Sequence, residues 1–216
     1  MSALKIAVVP VTPFAQNCTI VSDETTREAV VIDPGGDIEK IMMPVNRLAL
    51  RVKEIWLTHG HLDHAGGALD LQDALAGDEK PPIIGPSAED AMLLSGLSVQ
   101  AQLFGLPGMR DVTPDRFLRE GDTVSVAAHR FEVLHCPGHT PGHIIFINRQ
   151  ARFGQLGDVL FQGSIGRTDF PYSDPGALLR SIREKILPLG DDFSFVCGHG
   201  PASSVGHERR TNPFLQ

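Results

Sequence analysis

Four side chains of metal-binding type lie within six residues, in the segment Thr58-His59-Gly60-His61-Leu62-Asp63-His64. The segment follows an apolar, strand-like run and precedes a helix-like one. His59 and His61 are two residues apart, so in an extended or turning backbone their imidazoles can share one ion. Asp63 and His64 lie where the chain turns into the helix, so we expect their side chains to point away from the position shared by His59 and His61. Imidazole and carboxylate are ordinary ligands of divalent metals, so we predict a metal site rather than a solvated histidine-rich loop.

More histidine and aspartate residues fall at the ends of predicted strands. His139 follows the strand that ends at residue 134, Asp158 precedes an apolar run, and His199 follows the strand that ends at residue 196. Each lies in a glycine-containing turn, where small neighbours let the backbone crowd an ion. The candidate ligands are therefore His59, His61, Asp63, His64, His139, Asp158 and His199.

Other polar residues near these motifs have two interpretations each. Asp33 ends a strand and either orients a liganding imidazole or holds the turn that follows it. Thr58 and Thr140 either form hydrogen bonds with the ligand loops or have no role in the site. His143 begins an apolar strand, so we expect it to be structural.

The cysteines suggest a second, competing metal site. Cys136 and Cys197, with His139 and His199, would make a Cys₂His₂ set of the kind that binds structural zinc. That set leaves the first histidine cluster without a role, so we favour small buried thiols instead. With Cys18 the total is three, an odd and low number that fits a reducing compartment.

Composition excludes several classes of protein. The 216 residues suffice for a full hydrophobic core, and the net charge of −7 argues against a sequence-independent nucleic-acid binder. No run reaches the roughly 18 apolar residues of a membrane-spanning helix. The N-terminal apolar run is too short for a signal peptide, so we predict a cytoplasmic protein. Without a repeat or a long linker, residues 1–216 are predicted to form a single domain.

The order of predicted elements indicates the fold class. Strands are predicted at 4–9, 17–22, 28–32, 53–57, 123–128, 130–134, 143–147, 157–161 and 193–196. Helices are predicted at 38–50, 64–75, 88–104 and 175–187, with loops at 77–82 and 105–116. Each half of the chain is rich in β-structure and carries one or two helices. This order favours an α/β fold in which two mixed sheets face each other with helices outside, a four-layer αββα sandwich.

The motifs resemble a known family. Thr-His-Gly-His-Leu-Asp-His, then Pro-Gly-His-Thr, Gly-Asp and Gly-His, are similar in order and spacing to the signature set of the metallo-β-lactamase superfamily. Residues 136–143 and 196–201 are most similar to its glyoxalase II, or hydroxyacylglutathione hydrolase, branch. Residues 163–169 and 208–215 resemble the shorter bacterial relatives of that branch. The resemblance implies the αββα fold and two bound metal ions.

The resemblance also implies which residues hold each ion. The first ion would be held by His59, His61 and His139. The second would be held by Asp63, His64 and His199, with Asp158 bridging both. Zinc is the expected metal, and iron and manganese accept the same ligands. Glyoxalase II carries a further C-terminal helical region that binds glutathione, and this chain stops about where that region would begin, so the resemblance does not extend to the thiol half of the substrate.

Such a centre implies hydrolysis of a small-molecule thioester. Two divalent ions about 3.5–4 Å apart lower the pKa of a shared water, and the metal-bound hydroxide attacks a carbonyl carbon. A metal stabilises the oxyanion, and Asp63 or Asp158 can accept the proton of the water. A thiolate leaves readily, which suits a thioester, and the resemblance to glyoxalase II implies S-lactoylglutathione or a related hydroxyacylglutathione as the substrate.

Two residues are predicted to contact the substrate. Arg167 lies in a glycine-rich loop just past Asp158 and is suited to a substrate carboxylate. A salt bridge to Asp169 within the same loop is the alternative. Tyr172, the single tyrosine, lies near that loop.

Other functions remain open for this set of residues. A mononuclear iron persulfide dioxygenase shares the scaffold and uses only the first site. A metal-binding or sensing protein without catalysis would take up metal and show no turnover. β-Lactam hydrolysis is disfavoured by the glyoxalase-like motifs, and nuclease activity by the acidic charge.

Overall fold

A five-stranded sheet is built from the first part of the chain in the computed structural model, which describes residues 2–77, 80–106 and 108–216. Its strands are β1 (Leu4–Val11), β2 (Gln16–Asp23), β3 (Glu28–Ile32), β4 (Arg51–Trp56) and β5 (Ile83–Ile84), in that spatial order. The first three run antiparallel, and β4 and β5 run parallel to β3. Val and Ile dominate these strands because β-branched side chains pack well on a pleated surface.

The rest of the chain forms a six-stranded sheet and a small hairpin. The strands are β6 (Thr123–Val126), β7 (His129–His135), β8 (Ile144–Asn148), β9 (Phe153–Gln155), β10 (Leu160–Phe161), β11 (Ser164–Ile165), β12 (Ser194–Val196) and β13 (Ser203–Ser204). Strands β10 and β11 form the hairpin, and the sheet order is β13-β12-β9-β8-β7-β6. Only β9 and β12 pair in parallel within this sheet, as far as the described residues show.

Apolar side chains fill three layers, and their alternation along a strand explains how. In β8, Ile144 and Phe146 pack between the two sheets, whereas Ile145 and Ile147 pack on the opposite face. Trp56 of β4 meets Phe146 with ring centroids 4.9 Å apart, which joins the sheets.

Seven helices complete the outer layers of the described structure. They are α1 (Ile38–Arg47), α2 (Leu62–Ala65), α3 (Ala68–Ala74), α4 (Ala91–Leu94), α5 (Leu97–Leu103), α6 (Pro175–Ser181) and α7 (Val205–Thr211). Helices α1, α3 and α5 cover the outer face of the first sheet, and α6 and α7 that of the second. The predicted four-layer αββα sandwich is confirmed. No described helix is long and apolar enough to cross a membrane.

Several predicted elements differ in their bounds. The predicted helix at 64–75 is interrupted at Gly66 and Gly67, and that at 88–104 at residues 95–96, after an initial 3₁₀ turn at residues 88–90. At Gly67 a Cβ atom would lie 2.6 Å from the Pro34 carbonyl oxygen, so the close approach of another loop requires glycine there. The predicted helix at 38–50 ends at residue 47, after passing through Pro44.

Two further differences concern the second half of the chain. The predicted strand at 157–161 is wrong, because Gly157 has a positive φ of 48° and separates β9 from the short β10. Helix α7 was not predicted. Helix α6 begins as predicted, with Asp174 capping Ala177 N at 2.9 Å, and continues as a π turn and a 3₁₀ turn to residue 189. Parts of the two predicted loops, residues 78, 79 and 107, lie outside the described residues.

Candidate metal centre

The predicted ligands meet at one edge of the sandwich, where strands end. Strands β3 and β4 are parallel and end next to Asp33 and Thr58, and β9 and β12 are parallel and end before Asp158 and His199. Strand β7 points in the same direction as β9, because each is antiparallel to β8, and it leads to His139. The carboxyl ends of parallel strands share an edge of a sheet, so these loops converge.

Three buried imidazoles form a first group of donors. His59 Nε2 lies 3.1 Å from His61 Nδ1, and His139 Nε2 lies 2.9 Å from the same atom. One nitrogen from each ring lies within 4.8 Å of the others. This spacing is suitable for three ligands of a single ion.

A second group contains Asp63, His64 and His199, which also offer atoms within 4.8 Å of one another. Asp63 Oδ2 lies 3.2 Å from His199 Nε2 and 3.9 Å from His64 Nε2. Asp158 lies between the groups, with Oδ2 at 3.5 Å from His139 Nε2 and Oδ1 at 3.3 Å from His64 Nε2. All seven predicted ligands are therefore brought together.

Each ring of the first group has its outward nitrogen near an oxygen of the chain, which fixes the tautomer of His59 and His139. His139 Nδ1 donates to the Arg167 carbonyl at 2.8 Å. Thr58 Oγ1 donates to Asp33 at 2.7 Å, so His59 Nδ1, at 3.0 Å from that oxygen, is the donor in their pair. His61 Nε2 lies 2.8 Å from the Tyr172 hydroxyl.

The two rings of the second group are held in the same manner. His64 Nδ1 lies 2.9 Å from Asp33 Oδ2, and His199 Nδ1 donates to the Phe14 carbonyl at 3.2 Å. Asp33 thus orients an imidazole, the first of its two interpretations. It is fully buried and also accepts from Thr58 N and Oγ1, so its oxygens are already engaged. In His59 and His139, whose outward nitrogen is the donor, the nitrogen facing the centre is left with its lone pair, and the other three rings present theirs when the proton is on the outward nitrogen.

This donor set fits a cation. His64 Nε2 and Asp158 Oδ1 are buried 3.3 Å from each other, and neither has a further hydrogen-bond partner among the described residues. Burial lowers the pKa of His61 to about 3, and burial with neighbouring imidazoles lowers that of His59. Neutral imidazoles around carboxylates are the protonation state that binds metals. Among the described residues, the Asp63 and Asp158 carboxylates are paired with imidazoles and with no lysine or arginine.

The carboxylates support the same conclusion. Burial opposes ionisation of Asp158, but His64 and His139 hold the pKa of its carboxyl well below its usual range. For His64, burial is outweighed by the Asp158 and Asp63 carboxylates, which raise its pKa. In the absence of a metal ion, a protonated His64 ring can balance part of the negative charge of these carboxylates.

His143 and the cysteines lie beside the centre rather than in it. His143 is buried, stacks on His59 with centroids 4.6 Å apart, and accepts from Asp158 N at 3.0 Å. It supports the His59 ring and the Asp158 backbone, and its structural role stays a prediction. Cys136 and Cys197 are free and buried, and neither belongs to a potential metal group of the described residues. Burial raises the pKa of the Cys136 thiol to about 12.

Asp90 contributes to the site and was not predicted from the sequence. Its buried Oδ2 accepts from Gly60 N at 2.9 Å and from Thr140 Oγ1 at 2.7 Å, and its Oδ1 accepts from Gly142 N at 2.6 Å. It therefore links the loop of His59 to that of His139. Burial raises the pKa of Asp90 although these donors oppose the shift. The sequence around Asp90 gave only one indication, an acidic residue in the first turn of a predicted helix.

An open cavity of about 710 Å³ lies over the centre, and both predicted substrate contacts line it. Arg167 donates from Nε and Nη2 to Asp169 at 2.7 Å each, the alternative pairing considered for it, and stacks 4.4 Å from the Phe170 ring centroid. Burial raises the pKa of the Tyr172 hydroxyl to about 12, so it stays protonated. Contact of either residue with a substrate stays a prediction.

Known proteins share both sequence and fold with this chain. A sequence model of the metallo-beta-lactamase superfamily matches residues 11–199. Hydroxyacylglutathione hydrolase GloC of Haemophilus influenzae is 46% identical over 213 residues, 98% of each chain. The structure of BLEG-1 B3 metallo-beta-lactamase has a TM-score of 0.88 at 33% identity and covers 98% of this chain and 99% of its own. That of TTHA1623 in a di-iron-bound form has a TM-score of 0.86 at 37% identity, covering 97% and 100%. The chain therefore belongs to the metallo-β-lactamase superfamily, as its motifs predicted.

Proposed function

We propose that this protein is a binuclear metallohydrolase that cleaves thioesters of the hydroxyacylglutathione type. One observation carries the proposal: the Asp158 carboxylate lies between two donor groups and within 3.6 Å of imidazole nitrogens from both. A relative named as a hydroxyacylglutathione hydrolase covers the chain at 46% identity, which favours this substrate class.

The superfamily and the donor set together imply divalent ions. In this proposal His59 Nε2, His61 Nδ1 and His139 Nε2 hold the first ion. Asp63, His64 Nε2 and His199 Nε2 hold the second, and Asp158 binds both. Zinc suits this mixture of nitrogen and oxygen ligands, and iron or manganese would also be accepted.

Ions bound in this way supply Lewis acidity and lower the pKa of a water toward neutrality. The chain supplies the remaining functions. Asp63 and Asp158 are ionised at neutral pH, since the pKa of each is held below its usual value, so either carboxylate can accept a hydrogen bond from a water and orient it. If His61 Nδ1 faces the ion, its Nε2–H donates to the Tyr172 oxygen. The Tyr172 O–H is then free to donate into the cavity, toward a substrate oxygen.

Hydrolysis of S-lactoylglutathione, with metal counted in the same sample, tests the proposal. We expect turnover with two ions per chain. Asp158→Ala should lose both hydrolysis and bound metal, because it removes the shared ligand. Asp192→Ala, a change at an exposed residue paired with Arg152, is the control. An Asp158→Ala protein that still turns over the thioester would disprove the assignment.

The alternative functions predict other results. A persulfide dioxygenase needs only the first group of ligands, and a single iron with oxygen consumed on glutathione persulfide would support it. The second group, Asp63, His64 and His199, favours the hydrolase. A metal-binding protein without catalysis would bind metal and turn over nothing, whereas the open cavity over the centre favours an enzyme.

A further inference from the structure

The cavity over the candidate centre has an apolar wall. Beyond the candidate ligands, aromatic and aliphatic side chains line most of it, including Phe14, Leu103, Phe104, Phe161, Ile165 and Phe170. They come from separate parts of the chain: the β1–β2 turn, the end of α5, the β10–β11 hairpin and the loop before α6. A wall assembled from four segments is a feature of the fold rather than of one loop.

Part of this wall is exposed to solvent at the cavity mouth. Leu103 is 81% exposed, Phe104 58% and Phe14 38%. Phe14 and Phe104 meet edge to face with centroids 5.5 Å apart. Large apolar groups clustered at the surface of a soluble protein mark a binding site, and here they border the candidate centre.

Cationic partners for a charged substrate are scarce along the same wall. Among the described lining residues, Arg167 is the single lysine or arginine. Both of its bonds to Asp169 are 2.7 Å long, so its charge is already paired. The Gln100 amide is also engaged, since Nε2 donates to Leu93 O at 2.8 Å and Oε1 accepts from Leu62 N at 3.2 Å.

These features distinguish two ways of holding a thioester. The glutathionyl group carries two carboxylates and one ammonium, and buried carboxylates need paired donors. An aryl or bulky alkyl group needs only apolar surface, and its burial is favourable in proportion to area. The described wall provides apolar surface for an aryl or alkyl group and few donors for carboxylates.

We propose that the enzyme selects thioesters by a large apolar or aromatic group packed against this wall. The charged ends of a glutathionyl group remain in solvent and contribute little to recognition. This inference rests on the proposed thioester hydrolysis and specifies its substrate class.

Two pairs of substrates test the inference with the metal-loaded protein. S-mandeloylglutathione and S-lactoylglutathione differ only by phenyl in place of methyl, and we expect kcat/KM to be about 10-fold or more higher for the phenyl compound. Lactoyl thioesters of glutathione and of N-acetylcysteamine differ in their charges, and we expect them to agree within about fivefold, as for charges left in water. Equal rates in the first pair, or a larger gap in the second, would overturn the inference.

A variant and a matched control test whether the cavity wall causes the preference for the phenyl substrate. Phe104→Ala removes an aromatic ring from the wall, so the ratio of mandeloyl to lactoyl rates should fall by about 10-fold. Val99→Ala changes an apolar residue of α5 that is 60% exposed and does not line the cavity, and it should leave the ratio unchanged. The same change in both variants would contradict the assignment of the wall.

Binding of thioethers, which cannot be hydrolysed, gives a readout independent of turnover. By calorimetry, S-benzylglutathione should bind about 10-fold more tightly than S-methylglutathione, and Phe104→Ala should reduce this difference. If no thioester is turned over by the two-metal protein, the proposed function fails, and the calorimetry still decides the apolar preference. If thioesters are hydrolysed without preference and both thioethers bind equally, only the inference drawn here fails.

Discussion

Orientation of the imidazoles depends on residues that are not ligands themselves. Each of the five rings turns one nitrogen to the centre and gives the other to an oxygen of the chain. Asp33 is the clearest case, because it lies in the left-handed region at φ 54° and holds both His64 and Thr58. An aspartate tolerates this backbone conformation better than most residues. An aspartate at this position therefore suits both the turn and the contacts with His64 and Thr58.

Asp90 should affect both metal affinity and stability. Asp90→Asn replaces an acceptor with an amide, so either Gly60 N or Gly142 N would face a donor. We expect the metal-free protein to lose about 1–3 kcal/mol of unfolding free energy, and metal affinity to fall about 10- to 100-fold. Urea unfolding and competition with a chelator measure the two effects.

The control for Asp90 is another buried aspartate outside the centre. Asp23 accepts from the backbone of Thr25 and Thr26, so Asp23→Asn should lower stability without changing metal affinity. If both variants reduce metal affinity to the same degree, Asp90 has no positioning role.

At the scale of elements, glycines let the loops approach one another. A Cβ atom on Gly198 would overlap Asp158 Oδ1 and lie 2.6 Å from His64 Cε1. The backbone there has little freedom to move, because Gly198 N donates to Gly157 O at 2.8 Å and its carbonyl accepts from Asn17 N at 2.7 Å. The loop after β12 therefore requires glycine for steric reasons.

Gly198→Ala should displace the Asp158 carboxylate while leaving the sandwich folded. A shift of about 1 Å in such a group costs about 100-fold in rate, so we expect turnover to fall at least that far, with fewer than two ions bound. Metal analysis, kinetics and circular dichroism measure this. Gly77→Ala, where an added Cβ would meet nothing within 4 Å, is the matched control, and equal activity of the two variants would contradict the steric argument.

Elements with strong local patterns were predictable from the sequence. The Val- and Ile-rich runs predicted β1, β2 and β3 to within two residues, because alternation and β-branching act locally. The failures have long-range causes. The breaks at Gly66–Gly67 and after Gly157 depend on loops that approach from elsewhere in the chain, and no local pattern reports them.

The residues of the candidate site also differ in whether local sequence patterns predict them. Its seven predicted ligands sit in motifs at strand ends, where type and spacing are informative. Asp90 was missed because its partners Gly60 and Gly142 are 30 and 52 residues away. Arg167 was predicted to bind substrate, and its pairing with Asp169 could be stated from sequence only as an alternative.

For the whole molecule, the centre couples the two sheets. Its ligands follow strands of both, and Asn17, in β2 of the first sheet, donates to the Cys197 and Gly200 carbonyls beside β12 of the second. The two groups of ligands exist only when both sheets are folded against each other. Metal binding is therefore linked to folding.

Metal removal should lower the melting temperature. A ligand that binds only the native state at about 100 times its Kd stabilises by about 2.7 kcal/mol, which is about 5–10 °C for a chain of this size. Differential scanning calorimetry with and without a chelator, followed by zinc addition, measures the shift. Asp158→Ala should show little response, and an equal response in that variant would place the bound metal elsewhere.

The three thiols test the prediction that the chain is a single domain. Cys18 packs in the layer outside the first sheet, and Cys136 and Cys197 pack in the layer outside the second. All are buried, so a thiol reagent reacts with them only after the structure opens. If the sandwich opens as one cooperative unit, all three should react at one slow rate, and bound metal should slow them equally. In the Cys18→Ala variant the two remaining thiols should still react at one common rate, whereas faster reaction of Cys18 alone in the parent protein would mean that the halves open separately.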